Sequence, residues 1–250
     1  MSGPDASQDD PILPLLNSDT ERVRYRVVLL ELLERTSLFR GQRVLDFGAS
    51  WGTSAVALIR AGASEVVGIE PDLERVAQGC ELVQQLGLTG RVDLRHCADT
   101  SHLPFSDGSF AFVLSNGVIE HIRESERPAI LREVWRVLAP GRHLMVSETP
   151  NPYYPKDQHT TQLWFNHWLP ERVAHRRAVR NGRFRAQRTD WASSGWRGAG
   201  YYGLVKHLNG ARLISEPPTR IRHRLLVTVG LPAMLIDPWP LWVFRKPEAT

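Results

Sequence analysis

The sequence predicts an α/β protein with a mostly parallel sheet covered by helices on both faces, and with a cap inserted late in the chain. Three observations lead to this fold class. Short apolar segments alternate with helical segments between residues 43 and 147. A glycine turn directly follows the first apolar segment. Proline, glycine and aromatic residues then interrupt the alternation between residues 150 and 200, which excludes long regular elements there.

The alternation consists of five predicted strands and four predicted helices. The strands are expected at 43–47, 65–69, 91–96, 111–115 and 143–147. The helices are expected at 19–38, 53–61, 73–86 and 124–138, the third ended by Gly87 and the fourth by Pro140-Gly141. Strands that alternate with helices form parallel sheets through right-handed crossovers. Ligands of such sheets bind at the carboxyl ends of the strands.

The segments before the first strand are predicted as an arm and a helix. Residues 1–17 are expected to be a loose arm. The helix that follows carries apolar residues at helical spacing, namely Val23, Val27, Leu30 and Leu33. We therefore expect residues 1–40 to precede the ligand-binding core, which spans 41–149.

The segments after the core are predicted as a cap, 150–200, and the remaining core strands, 201–250. Residues 201–215 are predicted to hold a helix and a strand. Residues 225–236 are an apolar stretch, and 241–245 are predicted as a last, edge-like strand. No internal repeat is found.

The composition is that of an ordinary globular protein. Of 250 residues, 42% are hydrophobic and 23% are charged, and no apolar run reaches the ~18 residues that a membrane span needs. The acidic, polar start is not typical of a secretory signal. Cys80 and Cys97 form neither a disulfide framework nor a metal-ligand spacing. A cytoplasmic location is therefore expected.

Charge divides the chain into two unlike parts. Residues 1–150 carry 15 basic and 21 acidic residues, a net charge of −6, whereas residues 151–250 carry 16 basic and 6 acidic residues, a net charge of +10. Six of the eight tryptophans also follow residue 150. This division favours a scaffold half and a half that contacts a partner or substrate.

The turn after the first strand is the first candidate site. In VLDFGASWG, Gly48 and Gly52 allow backbone conformations and close approach that a Cβ would prevent. The dinucleotide fingerprint G-x-G-x-x-G is absent. Asp46 ends this strand and is placed to meet the cationic end of a ligand, directly or through water. The alternative is that Asp46 only caps the following helix, and Trp51 either lines a pocket or packs on the surface.

Two further acids follow the second and third strands. Glu70 lies 24 residues after Asp46, where an acid accepts hydrogen bonds from a ribose diol in dinucleotide folds. Asp99 could accept from an adenine amino group, while the backbone around Ala98 serves the ring nitrogens. The alternatives are a solvated strand end for Glu70 and an Asx turn for Asp99.

Four ordered motifs resemble a known family. They are VLDFGASWG, VVGIEPD, ADTSHLPFSDGSFAFVLSNGVIEHI and LREVWRVLAPGRHLMVSE. Together they are similar to the Rossmann-like class I S-adenosylmethionine-dependent methyltransferases, in particular the ubiquinone/menaquinone-biosynthesis branch, over residues 40–149. The resemblance implies a seven-stranded sheet of order 3-2-1-4-5-7-6, whose seventh strand is antiparallel.

The same resemblance implies S-adenosylmethionine as the cofactor, with Glu70 on the ribose and Asp99 on the adenine. Ser50 stands where the family usually has a middle glycine, and its hydroxyl could bind the cofactor carboxylate. The expected cofactor-binding residues are Asp46, Gly48, Ser50, Gly52, Glu70, Pro71, Ala98, Asp99 and Asn116.

Two segments carry candidates for the chemistry. After the fourth strand, Asn116, Glu120 and His121 are expected to face the reacting methyl group, and His121 has a suitable pKa for a general base. The alternative is that His121 packs against or caps the next helix.

The second segment, 148–161, begins where the fifth strand ends. Glu148, Tyr153, Asp157 and His159 could line an acceptor pocket, with His159 as general base beside Asp157. A metal site of Glu148, Asp157 and His159 lacks tight spacing, so no metal is expected. The segment TPN…D-x-HTT…WLP is similar to one in bacterial methyltransferases of glycan or lipid-linked sugar synthesis.

The cap contains a basic run with seven arginines from Arg172 to Arg188. It favours an anionic acceptor, such as a phosphate-linked sugar or lipid, or an acidic membrane surface, while nearby Trp164, Phe165, Trp168 and Leu169 could bind sugar faces or a membrane interface. The alternative is a solvated helical face. The apolar residues of 225–244 could likewise touch a membrane or apolar acceptor, or pack as ordinary core.

These patterns predict a methyltransferase for a small-molecule or lipid/sugar-linked acceptor, with methylation at oxygen. The alternatives are an RNA methyltransferase and a protein that binds S-adenosylmethionine without transferring its methyl group. Nucleic acid is not the expected partner, because no RNA-binding module accompanies the basic run.

Overall fold

A computed structural model describes residues 10–16, 18–185, 190–214, 225, 228–230 and 236–249. Its strands form one seven-stranded sheet of order β3-β2-β1-β4-β5-β7-β6. They are β1 Arg43–Phe47, β2 Glu65–Glu70, β3 Val92–His96, β4 Phe110–Asn116, β5 Leu138–Ser147, β6 Arg212–Leu213 and β7 Trp242–Arg245. β7 is antiparallel to both neighbours, while the pairs among β1 to β5 are parallel. The implied order and strand directions are confirmed.

Helices connect most of these strands. They are α1 Asp19–Leu33, α2 Thr53–Arg60, α3 Leu73–Gln85, α4 Arg127–Val137, α5 Glu171–Arg180 and α6 Tyr201–Val205. Short 3-10 turns occur at Leu13–Leu15, Thr36–Leu38, Ile119–His121, Asn166–Trp168 and Trp191–Ser193. The helix starts follow local chemistry, since Asp72 accepts hydrogen bonds from the backbone N–H groups of Glu74 and Arg75 at the start of α3.

Two apolar layers cover the sheet. Successive residues of a strand point to opposite faces, so Val44 packs into the layer that holds α1 and α2, while Leu45 packs into the layer that holds α4 and α6. Because both faces are covered, the central strands are continuously buried.

The start of the chain corrects two predictions. Residues 10–16 are not a loose arm, because Ile12, Leu13 and Leu16 are buried in the core. The face expected for α1 is also wrong in large part. Its buried residues are Tyr25, Val28, Leu29 and Leu32, whereas Val23, Val27 and Leu30 are exposed and Leu33 is partly buried. Apolar residues occupy both sides of α1. The buried side carries Tyr25, whose hydroxyl also donates to Asp10.

Two boundaries later in the chain also differ from the predictions. Pro140-Gly141 does not follow a helix that ends at Leu138. Instead β5 starts at Leu138, and the segment lies in a register shift between its pairings with Phe110 and Phe112. The 241–245 strand is not an edge, because β7 lies between β5 and β6 and buries Trp242 and Phe244.

The segment expected as a cap is mostly loop, with α5 as its main helix. It has a small apolar cluster of its own, formed by Ala174, Ala178, Phe184, Trp191 and Trp196. Most of the 225–236 stretch lies outside the described residues, including Val227, Leu231, Met234 and Leu235. Parts of three other predicted segments also lie outside them, namely residues 1–9 and 17 of the arm, residue 188 of the basic run and residue 215 of the 201–215 segment. Among the helices described, none has the length and hydropathy to cross a membrane.

We expect Ile12→Ala to lower the free energy of unfolding by about 2–5 kcal/mol, because Ile12 is fully buried. Leu15→Ala is the matched control, since Leu15 lies in the same short segment but is 36% exposed, and it should change stability by less than about 1 kcal/mol. Urea unfolding of both variants measures the difference. Equal effects would mean that residues 10–16 do not belong to the core.

Candidate functional site

A cavity of about 580 Å³ lies at the carboxyl ends of β1, β2, β4 and β5, a typical volume for a small-molecule site. The ends of these strands and the segments that follow them contribute much of its wall, through most residues of 47–54, 70–71 and 116–122 and through Glu148. Residues from α1 and the cap complete the lining, among them Arg24, Tyr25, His159, Ser193 and Trp239. The parallel order of the sheet brings these segments together.

The turn between β1 and α2 has three residues with left-handed backbone. They are Gly48 (φ +80°), Ser50 (φ +48°) and Gly52 (φ +78°). A Cβ on Gly48 would overlap the side chain of Val118, so a glycine is required there both for conformation and for space. Ser50 adopts the glycine-like conformation despite its side chain, and it lines the cavity with Gly48.

Glu70 joins this turn to the one after β2. Its carboxylate accepts from the backbone N–H of Ser50 at 3.0 Å and from that of Asp72 at 3.2 Å. Glu70 is buried and lines the cavity with Pro71. A carboxylate held by two backbone donors keeps further lone pairs for hydroxyl donors of a ligand.

Asp46 is buried below the turn and does not line the cavity. Ser54 donates to its Oδ2 at 2.6 Å, and its Oδ1 has no partner among the described residues. Burial raises the pKa of Asp46 to about 7; the Ser54 hydrogen bond opposes this shift, and the nearby Glu70 adds to it. The contact is with the hydroxyl of Ser54 and not with a backbone N–H at the start of α2, so it is not the helix cap of the alternative interpretation.

The segment after β3 is exposed. The carboxylate of Asp99 accepts from the backbone N–H and the hydroxyl of Ser101, and it also contacts His102. Hydrogen bonding by the Ser101 hydroxyl lowers the pKa of Asp99. Asp99 therefore forms the Asx turn of the alternative interpretation. Neither Asp99 nor Ala98 lines the cavity, whereas Thr100 does.

At another part of the wall, Glu120, His121 and His159 come together. A carboxylate oxygen of Glu120 and one nitrogen of each imidazole lie within 4.8 Å of one another, and the imidazole centroids are 5.1 Å apart. Glu120 is buried, and Thr149 donates to it at 2.9 Å. Burial raises the pKa of Glu120, against the effects of His121, Thr149 and Arg127.

Hydrogen bonds orient both imidazoles. Nδ1 of His121 lies 3.0 Å from the carbonyl oxygen of Ser193, which can only accept, so Nδ1 is the donor. Nδ1 of His159 lies 3.1 Å from the hydroxyl of Thr160, which itself donates to Ser194, so this Nδ1 also donates. Each neutral imidazole therefore keeps its lone pair on Nε2. Burial and the neighbouring His121 lower the pKa of His159.

The other candidates of the second segment have different positions. Glu148 lines the cavity, with left-handed backbone and a pKa that burial raises against the influence of Arg24. Asp157 does not line it. Its carboxylate instead accepts from the backbone N–H groups of His159, Thr160 and Thr161. Asp157 thus contacts the backbone of His159 and fixes the shape of its loop.

A nitrogen- and carboxylate-ligated metal such as zinc suits the donors that meet at Glu120, His121 and His159. This set shares only His159 with the one weighed in the sequence, because Glu120 and His121 stand in place of Glu148 and Asp157. Asn116 lines the same wall, and its Oδ1 accepts from the hydroxyl of Ser147 at 2.8 Å. Tyr153 lies away from the cavity and contacts the ring of Tyr202.

Several lining residues were not among the expected site residues. No feature of the sequence indicates that Arg24 belongs to the site, because α1 precedes the first strand and no motif includes this residue. Trp239 belongs to the apolar stretch of residues 225–244, yet the centroid of its ring lies 6.2 Å from that of His159. Glu120 is expected at the site from its position after the fourth strand, but only the packing shows that its carboxylate is buried.

The arginines of α5 do not line the cavity. Ala174 and Ala178 face the core of the cap, which turns Arg172, Arg176 and Arg180 outward. The arginines of the basic run that the structure describes, Arg172 to Arg185, therefore form no anion site within this cavity.

Comparison with known proteins agrees with this arrangement. Residues 44–141 match the family described as "Methyltransferase domain". Methyltransferase GfsG of Streptomyces halstedii is 30% identical over 58% of this chain and 48% of its own. The ubiquinone/menaquinone biosynthesis C-methyltransferase UbiE of Photorhabdus laumondii is 27% identical over 66% of this chain and 64% of its own. Other curated relatives are named O-methyltransferases.

The solved structures show the same fold. An S-adenosylmethionine-dependent methyltransferase from Mesorhizobium loti superposes with a TM-score of 0.55, covering 88% of this chain and 98% of its own at 17% identity. The matches to GfsG and UbiE cover about half to two thirds of those relatives. The sheet order, the glycine turn and the family match agree. Residues 44–141 are therefore a methyltransferase domain, and the chain is similar to the class I S-adenosylmethionine-dependent methyltransferases in sequence and in sheet order.

Proposed function

We propose that this protein transfers a methyl group from S-adenosylmethionine to a hydroxyl oxygen of a small-molecule or lipid/sugar-linked acceptor. One observation carries the proposal. A pair of imidazoles with free Nε2 atoms faces the same cavity as Glu70 and the glycine turn. The residues that would hold the cofactor and the imidazoles that would accept a proton thus line the same cavity.

The residues of the cofactor end fit S-adenosylmethionine. Glu70 offers an anchored carboxylate to a ribose diol, and Gly48 and Ser50 line the cavity beside it. Asp46 supplies a buried carboxylate close to the turn, suited to a cationic group through an intervening donor. Pro71, Ser50 and Asn116 complete the set that we assign to the cofactor, while Ala98 and Asp99 would reach the adenine from the exposed β3 segment. When bound, the cofactor supplies an electrophilic methyl group on a sulfonium.

His159 is the proposed general base. Its lowered pKa keeps Nε2 unprotonated at neutral pH, so it can take the proton of an acceptor hydroxyl as the oxygen–carbon bond forms. His121 and Trp239 pack around its ring. Asp157, through the backbone of residues 159–161, acts as a positioning residue.

Oxygen is the proposed site of methylation because a hydroxyl must lose its proton to become an effective nucleophile. The relatives include proteins named for both O- and C-methylation, so their names alone do not select the atom. Arg24 and Glu148 are placed to hold polar groups of the acceptor.

The direct test is methyl transfer from labelled S-adenosylmethionine into a bacterial extract, fractionated into organic, aqueous and acid-insoluble pools. Label in the organic or aqueous pool supports the proposal. Label confined to nuclease-sensitive insoluble material would assign RNA as the acceptor. Tight cofactor binding with no label in any pool would assign a non-catalytic binding role.

Glu70→Ala is expected to weaken S-adenosylmethionine binding by roughly 100-fold, because hydrogen bonds to a charged group contribute about 1.5–3 kcal/mol each. Calorimetric titration of the purified protein measures this loss. Glu74→Ala is the matched control, since Glu74 is exposed in the first turn of α3 and does not line the cavity. Similar affinities for both variants would remove Glu70 from the cofactor site.

Ser50→Gly is expected to keep cofactor affinity within about tenfold, because the N–H that Glu70 binds belongs to the backbone. Stability should rise by up to about 1 kcal/mol, since left-handed backbone costs an L-residue about 1–2 kcal/mol and glycine offsets part of that gain in the unfolded chain. Calorimetry and thermal unfolding measure the two effects. A larger loss of affinity would show that the Ser50 hydroxyl contacts the cofactor.

His159→Ala is expected to lower kcat by about 10²–10⁴-fold with little change in cofactor affinity. His207→Ala is the control, because His207 does not line the cavity. In the wild type, activity requires neutral His159 and should therefore fall as pH drops below about 6.5, with the midpoint below that value because burial lowers the pKa. Full turnover in His159→Ala, or an unchanged acid limb, would contradict the role.

A further inference from the structure

Three exposed aromatic side chains stand together in the loop after β5. Trp164, Phe165 and Trp168 are 53%, 48% and 53% exposed. Their rings are in contact, with centroids 6.1 Å apart for Trp164–Phe165 and 5.0 Å apart for Phe165–Trp168. We call these three residues the aromatic knob. A grouped apolar surface of this kind marks an interaction site more often than scattered single residues do.

The knob is held rigidly in its exposed position. The backbone N–H of Phe165 donates to Pro155 at 2.6 Å, and the indole N–H of Trp168 donates to the carbonyl of Pro152 at 2.6 Å. Between the exposed rings, Asn166 and His167 are buried and anchor the turn. Both Phe165 and Gln162 have a left-handed φ of +58°, which costs energy for residues with side chains. The fold thus maintains an arrangement in which these rings point outward.

Helix α5 packs beside the knob and is strongly cationic. Arg177 donates to the carbonyl of Trp164 at 2.8 Å, which joins the two elements. Arg172, Arg176 and Arg180 recur every four residues on one exposed side of the helix. Val173, next to them, is 46% exposed.

The cationic surface continues past the helix through exposed Arg183 and Arg185. Within the described ranges, none of these five exposed arginines has a carboxylate at ion-pair distance, although other arginines such as Arg136 and Arg197 do. Their charge is therefore available to an external anion.

We propose that the aromatic knob and the exposed arginines of residues 172–185 dock the protein onto an anionic lipid bilayer. Tryptophan and phenylalanine insert at the boundary between headgroups and acyl chains, while adjacent arginines bind anionic headgroups. RNA would also attract the arginines. However, stacking on bases requires separately accessible ring faces, whereas these rings pack against one another.

The docking surface is coupled to the reaction site through one short loop. His159 precedes Trp164 by five residues, and this loop is closed because Asp157 binds residues 159–161 while its N–H donates to the carbonyl of Leu163. A knob bound at the membrane therefore holds the His159 loop near the interface. If the proposed methyl transfer is correct, its acceptor is an amphiphile presented by the bilayer.

The test is sedimentation of the full chain with vesicles, performed without S-adenosylmethionine or acceptor. Vesicles of phosphatidylcholine with phosphatidylglycerol are compared with vesicles of phosphatidylcholine alone. The protein is expected to bind the anionic vesicles, with an affinity that falls as salt is added. Equal binding to both vesicle types, or to neither, would overturn the proposal.

Two variants divide the surface into its parts. The double variant Arg176→Gln, Arg180→Gln should weaken vesicle binding by about fivefold for each arginine removed. Trp164→Ala should weaken it by roughly tenfold, through loss of one large apolar contact. Arg26→Gln with Arg132→Gln, two exposed arginines on α1 and α4, is the matched charge control, and Leu73→Ala is the matched apolar control. Equal losses in the test variants and their controls would overturn the assignment of this surface.

Glu70→Ala separates this inference from the proposed function. It should bind vesicles like the wild type even where it no longer binds the cofactor, because Glu70 is not part of the docking surface. Loss of vesicle binding in Glu70→Ala would therefore contradict the inference. Retention of single-stranded RNA that the Trp164 and Arg176/Arg180 variants lose, together with no vesicle binding, would instead assign the surface to RNA.

Discussion

The hydrogen bonds of the Glu70 carboxylate are the interaction on which the site depends. A single buried side chain at the end of β2 binds the backbone of the turn after β1 and the backbone before α3. Removing it would leave two N–H groups without their acceptor and would free the turn that carries Gly48 and Ser50. The left-handed backbone of Ser50 is acceptable within this arrangement because the Glu70 contact fixes its N–H. The same carboxylate is thus both a structural tie and the proposed ribose ligand.

At the acceptor end, Arg127 has a comparable structural role. Its guanidinium donates to the carbonyls of Glu120 and Ile122 on the core side and to that of Gly198 on the cap side. Ser193 and Ser194 of the cap in turn accept from the His121 ring and the Thr160 hydroxyl. The orientation of both imidazoles therefore depends on how the cap contacts the core. Changes in the cap away from the cavity can alter catalysis by this route.

Local patterns were sufficient to predict much of the core, because apolar segments and glycine turns depend on neighbours in the sequence. The five central strands and the position of Glu70 at a strand end belong to this class. The burial of Ile12, the buried face of α1 and the meeting of Glu120 with His159 could not be predicted, since each depends on contacts between distant segments. Asp157 shows the limit most clearly. Its spacing from His159 favours a catalytic pair. The same short separation, however, lets its carboxylate accept hydrogen bonds from the backbone of the same loop.

For the positive charge in the second half of the chain, the sequence favours two possible ligands, an anionic acceptor and an acidic membrane surface. A basic run near a reaction site predicts an anionic substrate, yet α5 directs Ala174 and Ala178 inward and its arginines outward. The cavity wall instead carries four glutamates, with two arginines of other helices as cations: Glu21, Glu70, Glu120 and Glu148, and Arg24 and Arg75. The arginines of α5 therefore face what lies outside the molecule rather than what enters the cavity. Because the aromatic knob adjoins this outer surface and shares a loop with His159, the proposed membrane contact and the proposed proton removal belong to one segment of about ten residues, a compact connection of the kind that loops on a rigid scaffold provide.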